Sequence, residues 1–366
     1  MSFLKCFPTV FVVGNEYEIS ITTKENGLCF VQVGSENYYE ENTGVLSTEK
    51  SYFKIRVPQS VLNAEKQYTI VFRKTVERKA YFSEIEKAQK QSFAFQPIEK
   101  NDDIRLYHIA DVHYRFDEAV ALADFWGKQT DLFIVNGDIG EVETRENYFE
   151  VCQFTGDISR GKIPVLFVRG NHDTRGKLAE LYAEYFPVQN GKTYFSFSVG
   201  PIVGLALDCG EDKIDTHTAY GGNPETGELG VNIFRRYREE ETRFLKNTTL
   251  DGKIKLAVSH ICPAHTTKQK GGLFDIDRDI YEKWSEELER NGVKLMICGH
   301  MHKAYIVAPN DEISTVKHSY YAVIASMHTD DELWGGAIRF IGKNAEIFFT
   351  DKNHTVRGEY LLEDVL

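Results

Sequence analysis

One stretch constrains this chain more than any other. Val165-Leu-Phe-Val168 is a short apolar run that breaks at Gly170, and Asn171, His172 and Asp173 follow at once. An apolar run of that length bounded by glycine reads as a buried strand. A buried strand ending on Asn, His and Asp sets polar atoms at the carboxyl edge of a sheet, where open α/β proteins place their sites. Four further runs end in a similar way. Ile104–Ala110 leads into Asp111-Val-His113, and Leu132–Val135 into Asn136-Gly-Asp138. Leu256–Val258 leads into Ser259-His260, and Leu295–Cys298 into Gly299-His-Met-His302. Helix-period segments separate these runs at Asp117–Gln129, Glu143–Thr155, Lys177–Phe186, Ile233–Asn247 and Asp279–Asn291. Alternating strands and helices predict parallel pairing with helices outside.

Before about Ile98 the texture differs. Tyr17, Ile19 and Ile21 alternate with polar neighbours, as do Phe53, Ile55 and Val57, and Tyr68, Ile70 and Phe72. Period-two alternation predicts strands with one buried face, here a small all-β sandwich. Leu62 to Tyr68 resembles the corner before strand F of fibronectin type III and immunoglobulin-like domains, where a Tyr hydroxyl bonds back to upstream backbone. Thr75 to Gln91 is charged and Ala-containing, and reads as a loop or short helix. Pro97 and Asn101-Asp-Asp103 mark a linker. The expected division is a β-sandwich over 1–98 and an α/β (α+β) domain over 104–366.

The 366 residues are 42% hydrophobic and carry a net charge of -12, so the chain can bury a core and lacks the cationic surface that nucleic-acid backbones require. The six cysteines form no C-x-x-C pair, which predicts reduced, buried thiols and no thiolate zinc site. No stretch is apolar and long enough to span a membrane. Thr9–Val13 reads as a first strand, not a signal peptide, so the expected location is cytoplasmic.

The strand ends supply Asp, His and Asn together, N and O donors that suit Mn, Fe, Zn or Mg. They are too many for one tetrahedral ion and fit two ions sharing a bridge. In an extended segment, residues two apart point the same way, so Asp111 and His113 are expected to grip one centre, and His300 and His302 to reach it.

The set D-x-H, G-D, G-N-H-D, a lone His and G-H-x-H, in this order, resembles the calcineurin-like metallophosphoesterases over about residues 104 to 350. The resemblance implies two β-sheets packed face to face with helices outside, a four-layer α-β-β-α sandwich. It implies that Asp111, His113 and His302 hold one metal, that Asn171, His260 and His300 hold a second, and that Asp138 bridges them. His172 is then the catalytic residue that protonates or stabilises the leaving oxygen, with Asp173 orienting its ring. The implied activity is hydrolysis of phosphomonoesters or small phosphodiesters by a metal-bridging hydroxide, with two Mn, Fe or Zn ions and a small phosphorylated substrate as partner. A nuclease and a catalytically inactive scaffold are the alternatives; the acidic charge counts against the first and the intact His172 and ligand positions against the second. The N-terminal sandwich adds a resemblance to purple acid phosphatases. They carry Gly where this chain has His113, a Tyr ligand at the position of Glu141 and Glu at that of Asp173, so their ferric-tyrosinate centre is not implied here.

Several other residues are candidates for the rim. Arg175 suits phosphate contact or a surface ion pair. His217 and His265 lie in polar loops, Asp208 is a candidate partner to a ligand, and Tyr220 and Trp334 are candidate pocket walls. His108, His318 and His354 read as structural or exposed.

Overall fold

The computed structural model describes residues 3–264 and 272–366. His265 lies outside the described residues.

The chain begins with β1 (Thr9–Val13), buried at every position, and β2 (Glu16–Val33). β3 (Glu36–Tyr38), β4 (Lys50–Pro58), β5 (Gln67–Glu77), β6 (Glu84–Ile85) and β7 (Gln89–Ala94) follow. The long β2 organises them. Its first half pairs with β1 and β4, and its second half, beyond a register shift between Thr22 and Gly27, with β5 and β3. The polar neighbours along β2 are not solvated as alternation predicts. Glu18 and Ser20 are also buried, because this face is covered by other parts of the chain. Tyr52 bonds both Ser20 and the Tyr185 carbonyl, while Glu18 is neutralised by Lys54 and Arg56.

Two local expectations are corrected here. Leu62 to Tyr68 is not a sandwich corner. Gln59–Glu65 forms helix α1, closed by Lys66 in the left-handed conformation. The Tyr68 hydroxyl then donates forward to the Gly161 carbonyl at 2.9 Å, not back to upstream backbone. Thr75 to Gln91 contains no helix; it is loop broken by strand, because β5 offers a free edge on which β6 and β7 pair.

The next elements are β8 (Ile104–Ile109), α2 (Phe116–Ala123), β9 (Leu132–Asn136), α3 (Arg145–Ser159) and β10 (Pro164–Val168). α3 starts at a capping box between Thr144 and Asn147, which satisfies backbone donors that a helix start leaves open. β8, β9 and β10 are parallel, and β1 lies parallel beside β10 with Phe11 opposite Val165. The N-terminal strands therefore continue the sheet that carries the polar strand ends. The helix expected over 177–186 shrinks to one α-turn, α4 (Tyr182–Tyr185). Phe186 adopts extended dihedrals and stacks on Phe167, with ring centroids 4.6 Å apart.

A second sheet follows from β11 (Phe195–Val199), β12 (Ile202–Leu207), α5 (Phe234–Asn247), β13 (Ile254–Ser259), α6 (Arg278–Arg290), β14 (Leu295–Cys298), β15 (Ala304–Val307) and β16 (Tyr321–Ala325). The chain then returns to the first sheet as β17 (Trp334–Ile341), β18 (Asn344–Asp351) and β19 (Val356–Leu362), with β17 antiparallel to β8. Among the described residues the sheets contain thirteen and six strands.

Alternation within each strand sorts side chains into three cores. Leu106, Ile134 and Leu166 from the first sheet meet Leu256, Ile297 and Val323 from the second. Tyr107, Phe133 and Phe167 point the other way, toward α2 and α3. Leu205, Met296 and Ile324 pack under α5 and α6, around a fully buried Trp284. The order is helix, sheet, sheet, helix, as the resemblance implied. Packing the sheets face to face brings the polar ends of β8, β9 and β10 against those of β13 and β14. All six cysteines are buried, and no disulfide joins them. No helix among the described residues is long and apolar enough to cross a membrane.

Candidate functional site

The loops that leave these strands share an unusual backbone. Asp111, His113, Asp138, His300 and His302 all have φ between +43° and +69°. Non-glycine residues rarely adopt this left-handed region, and strain of this kind gathers at functional sites. Asp111 and His113 converge as expected, but not because their segment is extended; each sits in a left-handed turn. The turn is held by the neighbouring loop, through Asp111 N to Gly137 O and His113 N to Asp138 O, both 3.1 Å. Two glycines allow the next loops to meet. Gly137 has φ +76°, and a Cβ there would lie 2.4 Å from Gly170 Cα; a Cβ on Gly170 would lie 2.3 Å from Asp138 Oδ1.

The structure brings the seven expected ligands together. Asp111, His113 and His302 form one group of donor atoms, and Asp138, His260 and His300 a second. Asn171 Oδ1 lies 3.0 Å from His300 Nδ1, which adds it to the second group. Asp138 Oδ2 lies 3.1 Å from His260 Nε2 and 4.0 Å from His113 Nε2, so this carboxylate stands between the groups. Asp111 and His260 are deeply buried, whereas the His302 side chain is 42% exposed, so the site opens on the His302 side.

These residues fit bound cations. Asp111 Oδ1 and His260 Nε2 are buried and make no hydrogen bond, a cost that a metal ion would remove. His260 has its other nitrogen fixed on the Asn136 carbonyl at 2.6 Å, the outer contact that metal-ligating imidazoles commonly make. Burial lowers the His260 pKa, but the Asp138 and Asp111 carboxylates override it and push it up to about 10. Two buried carboxylates thus demand a positive charge at this point. Burial holds His113 and His300 below the usual imidazole range, which favours the neutral form that coordinates.

His172 lies beside these groups, its Nε2 3.9 Å from Asp138 Oδ2 and its ring 4.8 Å from that of His113, and with His113 and Glu141 it forms a third group of donor atoms. Its backbone N–H donates to Asp138 Oδ1 at 2.7 Å. The expectation that Asp173 orients its ring is corrected. Asp173 instead accepts backbone N–H bonds from Gly170 at 2.7 Å, Asp138 at 3.0 Å and Ile139 at 3.1 Å. It clamps the two loops together. Burial and the Asp138 charge push its pKa up to about 6, against the pull of the Gly170 and Ile139 amides.

The partner of the His172 Nδ1 is Glu141. Burial raises the Glu141 pKa, but the bond to His172, a backbone amide bond and the nearby His172 and His113 together outweigh it and leave the carboxyl below its usual range. His172 Nε2 lies 2.9 Å from Arg175 Nη1. Guanidinium nitrogens only donate, so Nε2 accepts, and the ring carries its proton on Nδ1, toward Glu141.

Two residues of the site were given no role by sequence reasoning. Glu141, three residues after Asp138, entered only as the position at which purple acid phosphatases carry a Tyr ligand. His328 precedes β17 and donates from Nδ1 to the Asp111 carbonyl at 2.6 Å. Its ring stands 5.0 Å from that of His113 and 5.1 Å from that of His302. It stands three residues after β16 (Tyr321–Ala325), a mostly buried apolar strand, so the strand-end pattern that exposed the others was present here too and is the signal that could have found it. Asp208 meets no ligand; it is buried against Arg169 at 2.6 Å. His217 accepts from Ala219 N at the start of a short turn, and Trp334 packs under Arg357. The Tyr220 hydroxyl donates to Glu211. His108 is buried beneath the site against Asn136, His318 bonds the Tyr320 carbonyl, and His354 bonds the Ala121 carbonyl.

Comparison with known proteins accords with this geometry. Among curated proteins, the chain is 29% identical to the serine/threonine-protein phosphatase CPPED1 of Danio rerio over 142 residues, which is 38% of this chain and 42% of that one. It is 25% identical to a probable cyclic nucleotide phosphodiesterase of Fibrobacter succinogenes over 128 residues, 35% of this chain and 48% of that one. The match thus spans less than half the length of these relatives. Its fold is similar to that of the purple acid phosphatase PPD1 from yellow lupin (Lupinus luteus), with TM-score 0.63 and 12% identity over 98% of this chain and 73% of that one. It is also similar to PhoD, with TM-score 0.56 and 10% identity over 98% and 88% of the two chains. The model of the calcineurin-like phosphoesterase family matches residues 104–304. The chain belongs to the calcineurin-like phosphoesterase family.

Proposed function

We propose that this protein hydrolyses phosphate esters with two metal ions. The observation that carries this reading is the pair of donor groups, Asp111-His113-His302 and Asp138-His260-His300, set around buried carboxylates, with a third group, His113-Glu141-His172, beside them. Asp111, His113 and His302 would hold one ion, and Asn171, His260 and His300 the other, with Asp138 shared. Bound cations of this kind activate water and neutralise charge on phosphate oxygens.

The chain's own residues do the rest. Glu141 holds the His172 ring at Nδ1 and so aims Nε2 into the site. A proton carried on Nε2, in place of the contact with Arg175, would pass to the oxygen of the leaving alcohol. Asp173 keeps the loops of Asp138 and Asn171 in register. The division of labour assigns this chemistry to residues 104–366 and a supporting role to residues 1–98. The phosphatase and phosphodiesterase names of the curated relatives support the reaction class. The charge of -12 supports a small phosphorylated substrate over nucleic acid. Buried thiols that form no disulfide support a reducing, cytoplasmic location.

The test is elemental analysis together with turnover of nitrophenyl phosphate and its bis-ester after loading with Mn, Fe or Zn. Close to two ions per chain and turnover of at least one ester are expected. Metal-loaded protein that cleaves neither ester would overturn the proposal.

A further inference from the structure

Arg175 is held in a way that a surface ion pair does not require. Its Nε and Nη2 donate to the two carboxylate oxygens of Glu211 at 2.8 and 2.7 Å. Glu211 is itself 1% exposed and also accepts from Thr174 Oγ1 at 3.0 Å and the Tyr220 hydroxyl at 2.7 Å. A carboxylate with this many partners is locked, and it locks the guanidinium. Asp212 lies 3.5 Å from Nη2 on the same side. The far end of the guanidinium reaches His172 Nε2 at 2.9 Å. Among the described residues, no other Lys or Arg side chain hydrogen-bonds Glu141, His172 or any of the seven candidate ligands.

An Arg that served only to neutralise Glu211 would have no reason to end on His172. Glu211 takes Nε–H and one Nη2–H, and His172 takes one Nη1–H. One N–H on Nη1 and one on Nη2 remain of the five that a guanidinium carries. Any oxygen seated beside His172 Nε2 is within reach of these donors. Two N–H groups of one guanidinium can serve two oxygens of a phosphoryl group. A phosphomonoester offers three terminal oxygens and close to two negative charges near neutrality. A diester offers two such oxygens and one charge, and its second alcohol needs room beside the cation.

We propose that Arg175 is a substrate-binding residue for the terminal oxygens of a phosphomonoester, and that buried Glu211 is its positioning residue. This rests on the phosphoester-hydrolase reading and narrows it. Glu211 also ties the site to the Asp212–Gly230 loop through Tyr220, so the loop and the phosphate contact are set together.

The test uses full-length, metal-loaded protein with nitrophenyl phosphate, its bis-ester and inorganic phosphate. Arg175→Gln is expected to raise KM for the monoester and Ki for inorganic phosphate about tenfold or more, the loss of one charge-assisted bond. KM for the bis-ester should rise less. Glu211→Gln should shift the same two constants by a smaller factor, and Arg175→Lys should recover only part of the loss, because it keeps the charge without the fork. Metal content and near-UV circular dichroism identify folded variants, and Arg175→Lys carries the test if Arg175→Gln does not fold. Unchanged Ki for phosphate, or equal weakening of both esters, would overturn the inference. Wild-type protein that cleaves neither ester would sink the hydrolase reading instead, and calorimetry of phosphate binding would still test Arg175.

Discussion

Glu141, not Asp173, bonds the Nδ1 of His172. The two residues belong to different loops, one after β9 and one after β10, and meet only because those strands are neighbours. The carboxylate fixes the ring and its tautomer, as an oriented base or acid requires. Glu141→Gln should therefore lower kcat by roughly ten- to a hundredfold, within the range that positioned proton transfer contributes. Metal content should be unchanged. Elemental analysis and steady-state kinetics on one preparation check both; a variant with normal kcat would remove Glu141 from the chemistry.

Asp173 has a different expected outcome. It accepts from three buried backbone donors of two loops. An unsatisfied buried donor costs about 1–3 kcal/mol. Asp173→Ala should destabilise the protein by at least about 2 kcal/mol, read as a lower urea midpoint at unchanged m. A variant of full stability and normal metal content that has lost turnover would restore a direct catalytic role.

Metal removal should expose the electrostatic cost of the site. Asp111 and Asp138 are buried side by side with His260. A cation present at about a hundred times its Kd stabilises the fold by about 2.7 kcal/mol. Chelation should lower Tm, and adding Mn, Fe or Zn should restore it. Asp138→Asn should reduce retained metal below that of the wild type, while His172→Ala should keep the metal and lose rate. Equal Tm with and without chelator would argue against the site.

Tyr68 offers a prediction away from the chemistry. Its hydroxyl donates to the buried Gly161 carbonyl at 2.9 Å, joining β5 to the turn after α3. Tyr68→Phe should cost about 1 kcal/mol, the net worth of an ordinary hydrogen bond, with turnover unaffected. Denaturant unfolding and kinetics on the same sample decide this.

The sequence by itself determined the layered α/β class and the set of metal-philic residues. Each candidate ligand follows a buried strand within four residues, and strand ends are local features that apolar runs and glycines reveal. Tertiary structure decided what no local pattern encodes. Glu141 and Asp173 have the same type of carboxylate, yet one meets an imidazole and the other three amides, because left-handed turns at Asp111, His113 and Asp138 aim the loops. His328 joins the site from the crossing between β16 of the second sheet and β17 of the first, placed there when β17 returns to pair with β8. Likewise β1 reads as an ordinary first strand, and only its parallel pairing with β10 makes the N-terminal strands part of the sheet that bears the site. Side-chain type and strand ends are written along the chain; which neighbour a side chain meets depends on sheet order and loop direction, which are long-range.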